Sequence, residues 1–202
     1  LPTHIDPALL TDEVDAVLET VNAQMSTFRA DSELSYFNSA PSGIWVEVSV
    51  DTLSVINEAL RASALTKGAF DPTLGALSNL WGFGAGGGVY QVPSWVQTNS
   101  ALSDLGSRAI HTDMKRRALR KQDPAVLLDL SGIAKGFGVD RVAAYLEDNG
   151  IGHYLIDIGG ELRGRGWNQQ GGIWRIGIER PGHVPGTLQR IVRLNGHALA
   201  TS

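Results

Sequence analysis

Leu127-Leu128-Asp129-Leu130-Ser131-Gly132-Ile133-Ala134-Lys135-Gly136-Phe137-Gly138-Val139-Asp140 is the stretch whose reading decides the fold and the site. An apolar run, Val126 to Leu128, reads as a buried strand. It meets an acidic residue, Asp129, then a small polar turn, then a segment that turns helical near Ile133. A strand that feeds a helix through Ser and Gly leaves backbone N–H groups free at the turn. Those groups and the helix N-terminus suit an anion such as a phosphate. Lys135 adds a full positive charge in the first turn, and Asp129 adds an acceptor for a ribose, an adenine amine or a metal. The same letters also describe an ordinary strand–turn–helix connection with a surface Lys. Short motifs match by chance often enough that spacing alone leaves both readings open.

The 202 residues suffice for one large domain or two small ones, and 43% hydrophobic with 19% charged residues is ordinary for a soluble globular protein. A net charge of −4 gives no case for nucleic-acid binding. The basic cluster Lys115-Arg116-Arg117, with Arg120 and Lys121, reads as a solvated face or a hairpin. With no cysteine there is no disulfide, thiolate metal site or Cys nucleophile. No run of about 18 apolar residues encodes a transmembrane helix. The chain opens on Leu1, without a signal peptide, as a mature or trimmed piece would.

Leu9, Leu10, Val14, Val17, Leu18 and Val21 recur at helical spacing behind Asp6-Pro7. Trp45 to Val50 reads as a short strand. Asp51 is expected to cap a second helix, with Leu53, Ile56, Leu60 and Ala64 on one face, that stops at Lys67-Gly68. A third helix runs from Ile133 to Asp148 and ends at Asn149-Gly150. The last quarter is mostly strand: His153 to Ile158, Leu162 to Gly166, Ile173 to Ile178, Gln189 to Leu194 and His197 to Thr201. Pro93 to Gly106 and Gly82 to Gly88 are the most loop-like segments. Helices first and strands later predict an α+β domain with a mixed or antiparallel sheet.

Gly82-Phe83-Gly84-Ala85-Gly86-Gly87 matches a dinucleotide fingerprint by letters, but it follows a helical segment and lacks a βαβ context, so the Rossmann reading is rejected. The five His residues, at 4, 111, 153, 183 and 197, have no zinc-ligand spacing. Ser131 sits in no nucleophile elbow, and Asp157 and Glu161 are poorly placed for a glycosidase pair. Asp71 before Pro72 is either a helix cap or a hydrogen-bonding group for the polar edge of a nucleobase or flavin, with Phe70 against a ring. Phe28 is either core or, given its polar neighbours, an aromatic on a partly open loop.

Five ordered segments carry a resemblance. Asp129–Asp140 resembles the signature of the ApbE family, the FAD:protein FMN transferases. Met25-Ser26-Thr27-Phe28, then Asp31-Ser32-Glu33-Leu34-Ser35 and Phe37-Asn38, resembles the family's early motif. Gly68-Ala69-Phe70-Asp71-Pro72-Thr73, then Leu80-Trp81-Gly82-Phe83-Gly84, resembles the second. Asp157-Ile158-Gly159-Gly160-Glu161-Leu162 is similar to the one after the helix, and Ala198 to Ser202 to the start of the next strand.

The resemblance implies an ApbE-like, T-fold-related single domain over residues 1–202, incomplete at both ends. It implies transfer of the FMN half of FAD to a Thr or Ser hydroxyl of a target flavoprotein, with AMP leaving and Mg²⁺ assisting. Some relatives instead hydrolyse FAD to FMN and AMP, and an FAD-binding protein without transferase activity is a further alternative. It places the flavin nucleotide against Phe28, Ala69, Phe70, Asp71, Asp129 and Lys135, and a metal contact on the Gly132 carbonyl. Lys135 acts there either on the phosphates or by holding a carboxylate near the metal. The catalytic base and the rest of the metal site are expected C-terminal to Ser202. The implied compartment is the periplasm or cell envelope, with any membrane attachment through an N-terminal lipid anchor outside this chain.

Overall fold

A computed structural model of the chain describes residues 6–85, 91–103, 105–182, 184 and 186–201. The chain falls into two compact units, Glu19–Ala134 and Leu1–Leu18 with Lys135–Ser202.

Helix α1 (Pro7–Met25) begins as expected: Asp6 Oδ1 accepts from Ala8 N at 2.9 Å, and Pro7 occupies the position whose N–H has no helical partner. In the unit Glu19–Ala134 there follow α2 (Glu33–Ser39), β1 (Val46–Glu47) and α3 (Val50–Leu65). Next come α4 (Gly75–Leu80), α5 (Trp95–Ser103), β2 (Ile110–Asp113) and β3 (Ala118–Lys121). The three strands form an antiparallel sheet ordered β1-β3-β2, with Val46 opposite Leu119 and Thr112 opposite the same Leu119. Leu34, Phe37, Leu53, Ile56, Ala59, Leu119, Leu128 and Leu130 are buried in this unit. Each large apolar side chain so buried contributes about 1.5–3 kcal/mol.

Three expectations are corrected here. Ser49, not Asp51, caps α3: its hydroxyl accepts from Thr52 N at 3.2 Å, and Asp51 sits in the first turn. Glu33 Oε2 completes the cap by accepting from Ser49 N at 2.9 Å and Thr52 Oγ1 at 2.6 Å. Pro93 to Gly106 is not a loop but contains α5, whose start is a reciprocal box in which Ser94 N donates to Gln97 Oε1 at 3.0 Å and Gln97 N to Ser94 Oγ at 3.3 Å. The basic cluster is indeed the turn of the β2–β3 hairpin at Lys115–Arg117, but Lys121 is only 2% exposed.

The other unit holds helix α6 (Ser131–Asp148) from Lys135 onward. It also holds strands β4 (Tyr154–Ile158), β5 (Glu161–Arg165), β6 (Trp174–Glu179), β7 (Leu188–Leu194) and β8 (His197–Leu199). These strands lie close to the expected segments. They make antiparallel sheets, β4-β5-β8 and β6-β7. Gly159 and Gly160, at φ 59° and 95°, form the two-residue turn that joins β4 to β5. Val139, Val142, Ala143 and Leu146 of α6 pack with Ile151, Tyr154 and Ile156, and Leu10, Val14, Val17 and Leu18 of α1 close this core. The expected α+β class with antiparallel pairing is what the chain forms. Among the described residues the only parallel pairing is a single bridge, Leu74 to Leu127.

Candidate functional site

The run Val126–Leu128 is buried as expected at Val126 and Leu128, but it is not a strand of a sheet. Its backbone is held by the one bridge to Leu74 and by the carboxamide of Asn38. Gly75 lets this approach happen: a Cβ there would come within 2.7 Å of Leu127 O. The chain then turns at Asp129 and enters α6 at Ser131, two residues before the expected start.

Asp129 and Asp71 build the turn in the same way. Asp129 Oδ1 accepts from Ser131 N at 2.9 Å and Ser131 Oγ at 2.6 Å. Asp71 Oδ1 accepts from Thr73 N at 2.8 Å and Thr73 Oγ1 at 2.6 Å. Asp71 is therefore not the cap of α4, which begins at Gly75 with no side-chain cap; it closes an Asx turn around the buried Pro72. Thr73 is 1% exposed and its hydroxyl also accepts from Gly106 N at 2.9 Å, so Asp71 rests on a fixed partner. The two turns are joined, since Asp129 N donates to Pro72 O at 2.8 Å. Neither aspartate uses Oδ2 in a hydrogen bond among the described residues.

Gly132 lies on the exposed side of this junction. Ile133 N and Ala134 N donate to Leu130 O at 2.9 and 2.7 Å, while Gly132 N finds no acceptor among the described residues. A Cβ on Gly132 would stand 3.1 Å from Phe70 Cε2. Phe70, Asp71, Asp129 and Gly132 thus form one open surface with two carboxylate oxygens, one free N–H and one aromatic ring. Ala69 is exposed at its edge, its N–H donating to Thr66 O at 3.2 Å.

The other two expected residues lie elsewhere. Phe28 sits between α1 and α2 with 69% of its surface exposed, which settles it as an open-loop aromatic and not core. Its N–H donates to Ser26 Oγ at 3.2 Å, and Arg29 beside it pairs with Glu19 and Asp31. Lys135 belongs to the other unit. Its Nζ is 2.8 Å from Glu161 Oε2, in ion-pair contact but not aligned as a hydrogen bond, and donates to Gly159 O at 3.3 Å. Lys135 is thus tied to a carboxylate on β5. Thr201 Oγ1 donates to Gly160 O at 3.1 Å and Asp157 Oδ1 accepts from Gly160 N at 3.0 Å, so this turn is braced on both sides.

For a metal, the described residues gather no group of three or more His, Asp or Glu. The Gly132 carbonyl lies in the first turn of α6, where carbonyls serve the helix ladder. A complete magnesium cage of oxygen ligands does not fit the described residues, and no chemical step is derived through one. His4 and His183 lie outside the described residues, as do Gly86, Gly87 and Gly88 of the glycine-rich stretch. That stretch follows α4, not a strand.

Sequence reasoning missed Asn38 and Thr73 as supports of the site. Both stand inside quoted motifs, but nothing in their spacing announces the partner ninety residues away that Asn38 reaches.

A model of the ApbE family matches residues 2–202. The FAD:protein FMN transferase of Vibrio cholerae serotype O1 is 44% identical over 201 residues, covering 100% of this chain and 60% of its own length. That of Haemophilus influenzae is 39% identical over 195 residues, covering 95% and 56%. The solved structure of the flavin transferase ApbE from Vibrio cholerae has a TM-score of 0.93 at 44% identity, over 100% of this chain and 65% of that one. The chain spans 56 to 60% of the length of these curated relatives. With the family model over nearly every residue and a matching antiparallel α+β fold, the chain belongs to the ApbE family.

Proposed function

We propose that this protein is an FAD:protein FMN transferase, whose joined Asp71 and Asp129 turns hold the FAD nucleotide. The observation that carries the reading is the junction itself. Two fixed aspartates, a free Gly132 N–H at the start of an 18-residue helix and the Phe70 ring face one open surface. An unpaired N–H at a helix start favours a phosphate oxygen. Asp71 and Asp129 each keep one oxygen for hydroxyl or amine donors of the nucleotide. Phe28 offers an exposed face for stacking but no hydroxyl.

In the reaction, the hydroxyl oxygen of a target Thr or Ser forms a new bond to the flavin-side phosphorus. The bond from that phosphorus to the bridging oxygen breaks, and AMP leaves with the electron pair. The hydroxyl proton passes to a base, which this reading places C-terminal to residue 202. The described residues do not assemble the ligand set of a magnesium ion, so Mg²⁺ enters this reading only as a dependence to be tested on the full-length protein. We place the protein in the cell envelope, with a lipid anchor as the means of attachment; cell fractionation tests it. No helix among the described residues is long and apolar enough to cross a membrane.

The test is incubation of the full-length protein with FAD, Mg²⁺ and a flavoprotein subunit bearing an acceptor Thr. Covalent fluorescent flavin on the subunit supports the transferase. AMP released without a target identifies a pyrophosphatase, and stoichiometric FAD with no AMP over hours identifies a binder.

A further inference from the structure

We infer that Asn38, backed by Lys121, is a positioning residue that sets the Asp129–Gly132 turn and thereby its affinity for the nucleotide; this rests on the function proposed above. The side chain of Asn38 takes the place of a neighbouring strand. Its Oδ1 accepts from Leu128 N at 2.8 Å and its Nδ2 donates to Leu128 O at 2.8 Å. That is the pair of bonds one residue of an antiparallel ladder exchanges with its partner. Leu128 is fully buried, so no water can replace either bond.

Asn38 is itself fixed. It is the sixth residue of α2, between the buried Phe37 and the exposed Ser39. Its backbone carbonyl accepts from Lys121 Nζ at 2.7 Å. The same ammonium reaches Pro124 O and Val126 O, each at 3.4 Å. Lys121 is 2% exposed and burial disfavours its charge, which Asp123 nearby offsets only in part, so the ammonium depends on the carbonyls being held in place. Residues 124 to 128 are therefore held by two side chains and the single Leu74 bridge instead of by a sheet. Asp129 follows at once, and its N–H must still meet Pro72 O. The backbone angles of Leu128 decide where the Asp129 carboxylate and the Gly132 N–H point. An apolar residue at position 38 would fill the space and leave that direction unset.

The experiment uses the full-length protein with Asn38→Ala, Asn38→Asp and Lys121→Met. Asn38→Asp keeps the shape and the acceptor for Leu128 N but loses the donor to Leu128 O, and so serves if Asn38→Ala does not fold. Three quantities are read: amide hydrogen exchange over residues 128–134, exchange over residues 53–60 of α3, and FAD affinity by flavin fluorescence. Asn38→Ala should speed exchange at 128–134 and raise the FAD Kd about ten- to hundredfold, the scale of lost hydrogen bonds with a buried partner left unsatisfied. Asn38→Asp and Lys121→Met should fall between it and the natural protein, with α3 exchange unchanged in all three. Unchanged exchange at 128–134 would overturn the inference, as would faster exchange there with an unchanged FAD Kd. If the natural protein itself takes up no FAD, the proposed function falls instead. Faster exchange confined to 128–134 would then sustain the positioning role, and unchanged exchange would end it.

Discussion

The backbone N–H of Asp129 donates to the carbonyl of Pro72 at 2.8 Å, so two turns 57 positions apart act as one element. Each turn is closed by its own aspartate on a neighbouring hydroxyl, Asp71 on Thr73 and Asp129 on Ser131. The inner carboxylate oxygens hold the backbone, and in the function proposed above the outer ones serve the nucleotide. Asp71→Ala removes both functions at once. Losing a charged hydrogen-bond partner costs about 1.5–3 kcal/mol, so FAD affinity should fall about ten- to hundredfold. Asp71→Asn keeps an acceptor for Thr73 and should lose less. Titration of both variants with FAD checks the order; equal affinities for Asp71→Ala and the natural protein would place the nucleotide elsewhere.

Gly132 is small because Phe70 lies over it. Gly132→Ala puts a Cβ at 3.1 Å from Phe70 Cε2, so the half-buried ring must give by a few tenths of an ångström. Gly132 is the second residue of α6, where alanine gains only part of the about 0.8–1 kcal/mol it gains over glycine in a helix interior. The two effects oppose each other in stability, and the melting temperature should move little. FAD affinity should still fall, because the ring leaves its place. A melting curve paired with an FAD titration separates them. A variant with natural affinity would show that Phe70 does not need this position.

How much of this was legible depends on whether the signal was local. Asp6-Pro7 announces α1 because capping uses residues two apart, and the strand alternation after His153 is local too. Ser94 and Gln97 spell a capping box, but Pro93 and the surrounding Ser and Asn residues suit a loop equally well by composition. Val126–Leu128 is legible as buried but not in its pairing, because its partner is the side chain of Asn38 and a single bridge to Leu74. Lys121 looks like one more surface cation beside Arg120. The three carbonyls that converge on it, with Asp123 nearby, account for a buried ammonium. The carboxylate held by Lys135 comes from β5, across the Gly159-Gly160 turn, which spacing alone does not reveal.

Lys135 and Glu161 should behave as a pair. Lys135→Ala leaves the Glu161 carboxylate buried without its cation, and the Lys135 side chain is half-exposed while that of Glu161 is 17% exposed. Lys135→Ala should therefore reduce FAD use in the full-length protein, and Glu161→Gln in the same chain should recover part of what was lost. A double-mutant cycle on FAD turnover and on melting temperature measures the coupling. Strict additivity of the two changes would show that the contact has no functional weight.

The last prediction concerns acid stability. Glu147 accepts from the Tyr154 hydroxyl and pairs with Arg165 at 2.6 Å and Arg163 at 3.4 Å, while Arg163 also holds Asp140 at 2.7 Å. The Tyr154 hydrogen bond first, then Arg165, holds the Glu147 carboxyl below its ordinary value of 4.5. A folded carboxyl with a depressed pKa binds fewer protons than the unfolded one. Its contribution to stability is therefore present above the unfolded value and is lost as pH falls through the folded one. Glu147→Gln removes that titration. The natural protein should be the more stable of the two at pH 7, and the gap should close steadily below about pH 4.5. Tyr154→Phe should shift the same transition upward, because the largest cause of the depression is gone while the two arginines remain. Urea melts of all three proteins from pH 7 to pH 3 decide it. A gap between the natural protein and Glu147→Gln that is constant over that range would mean the network is packing alone and carries no charge-dependent stability.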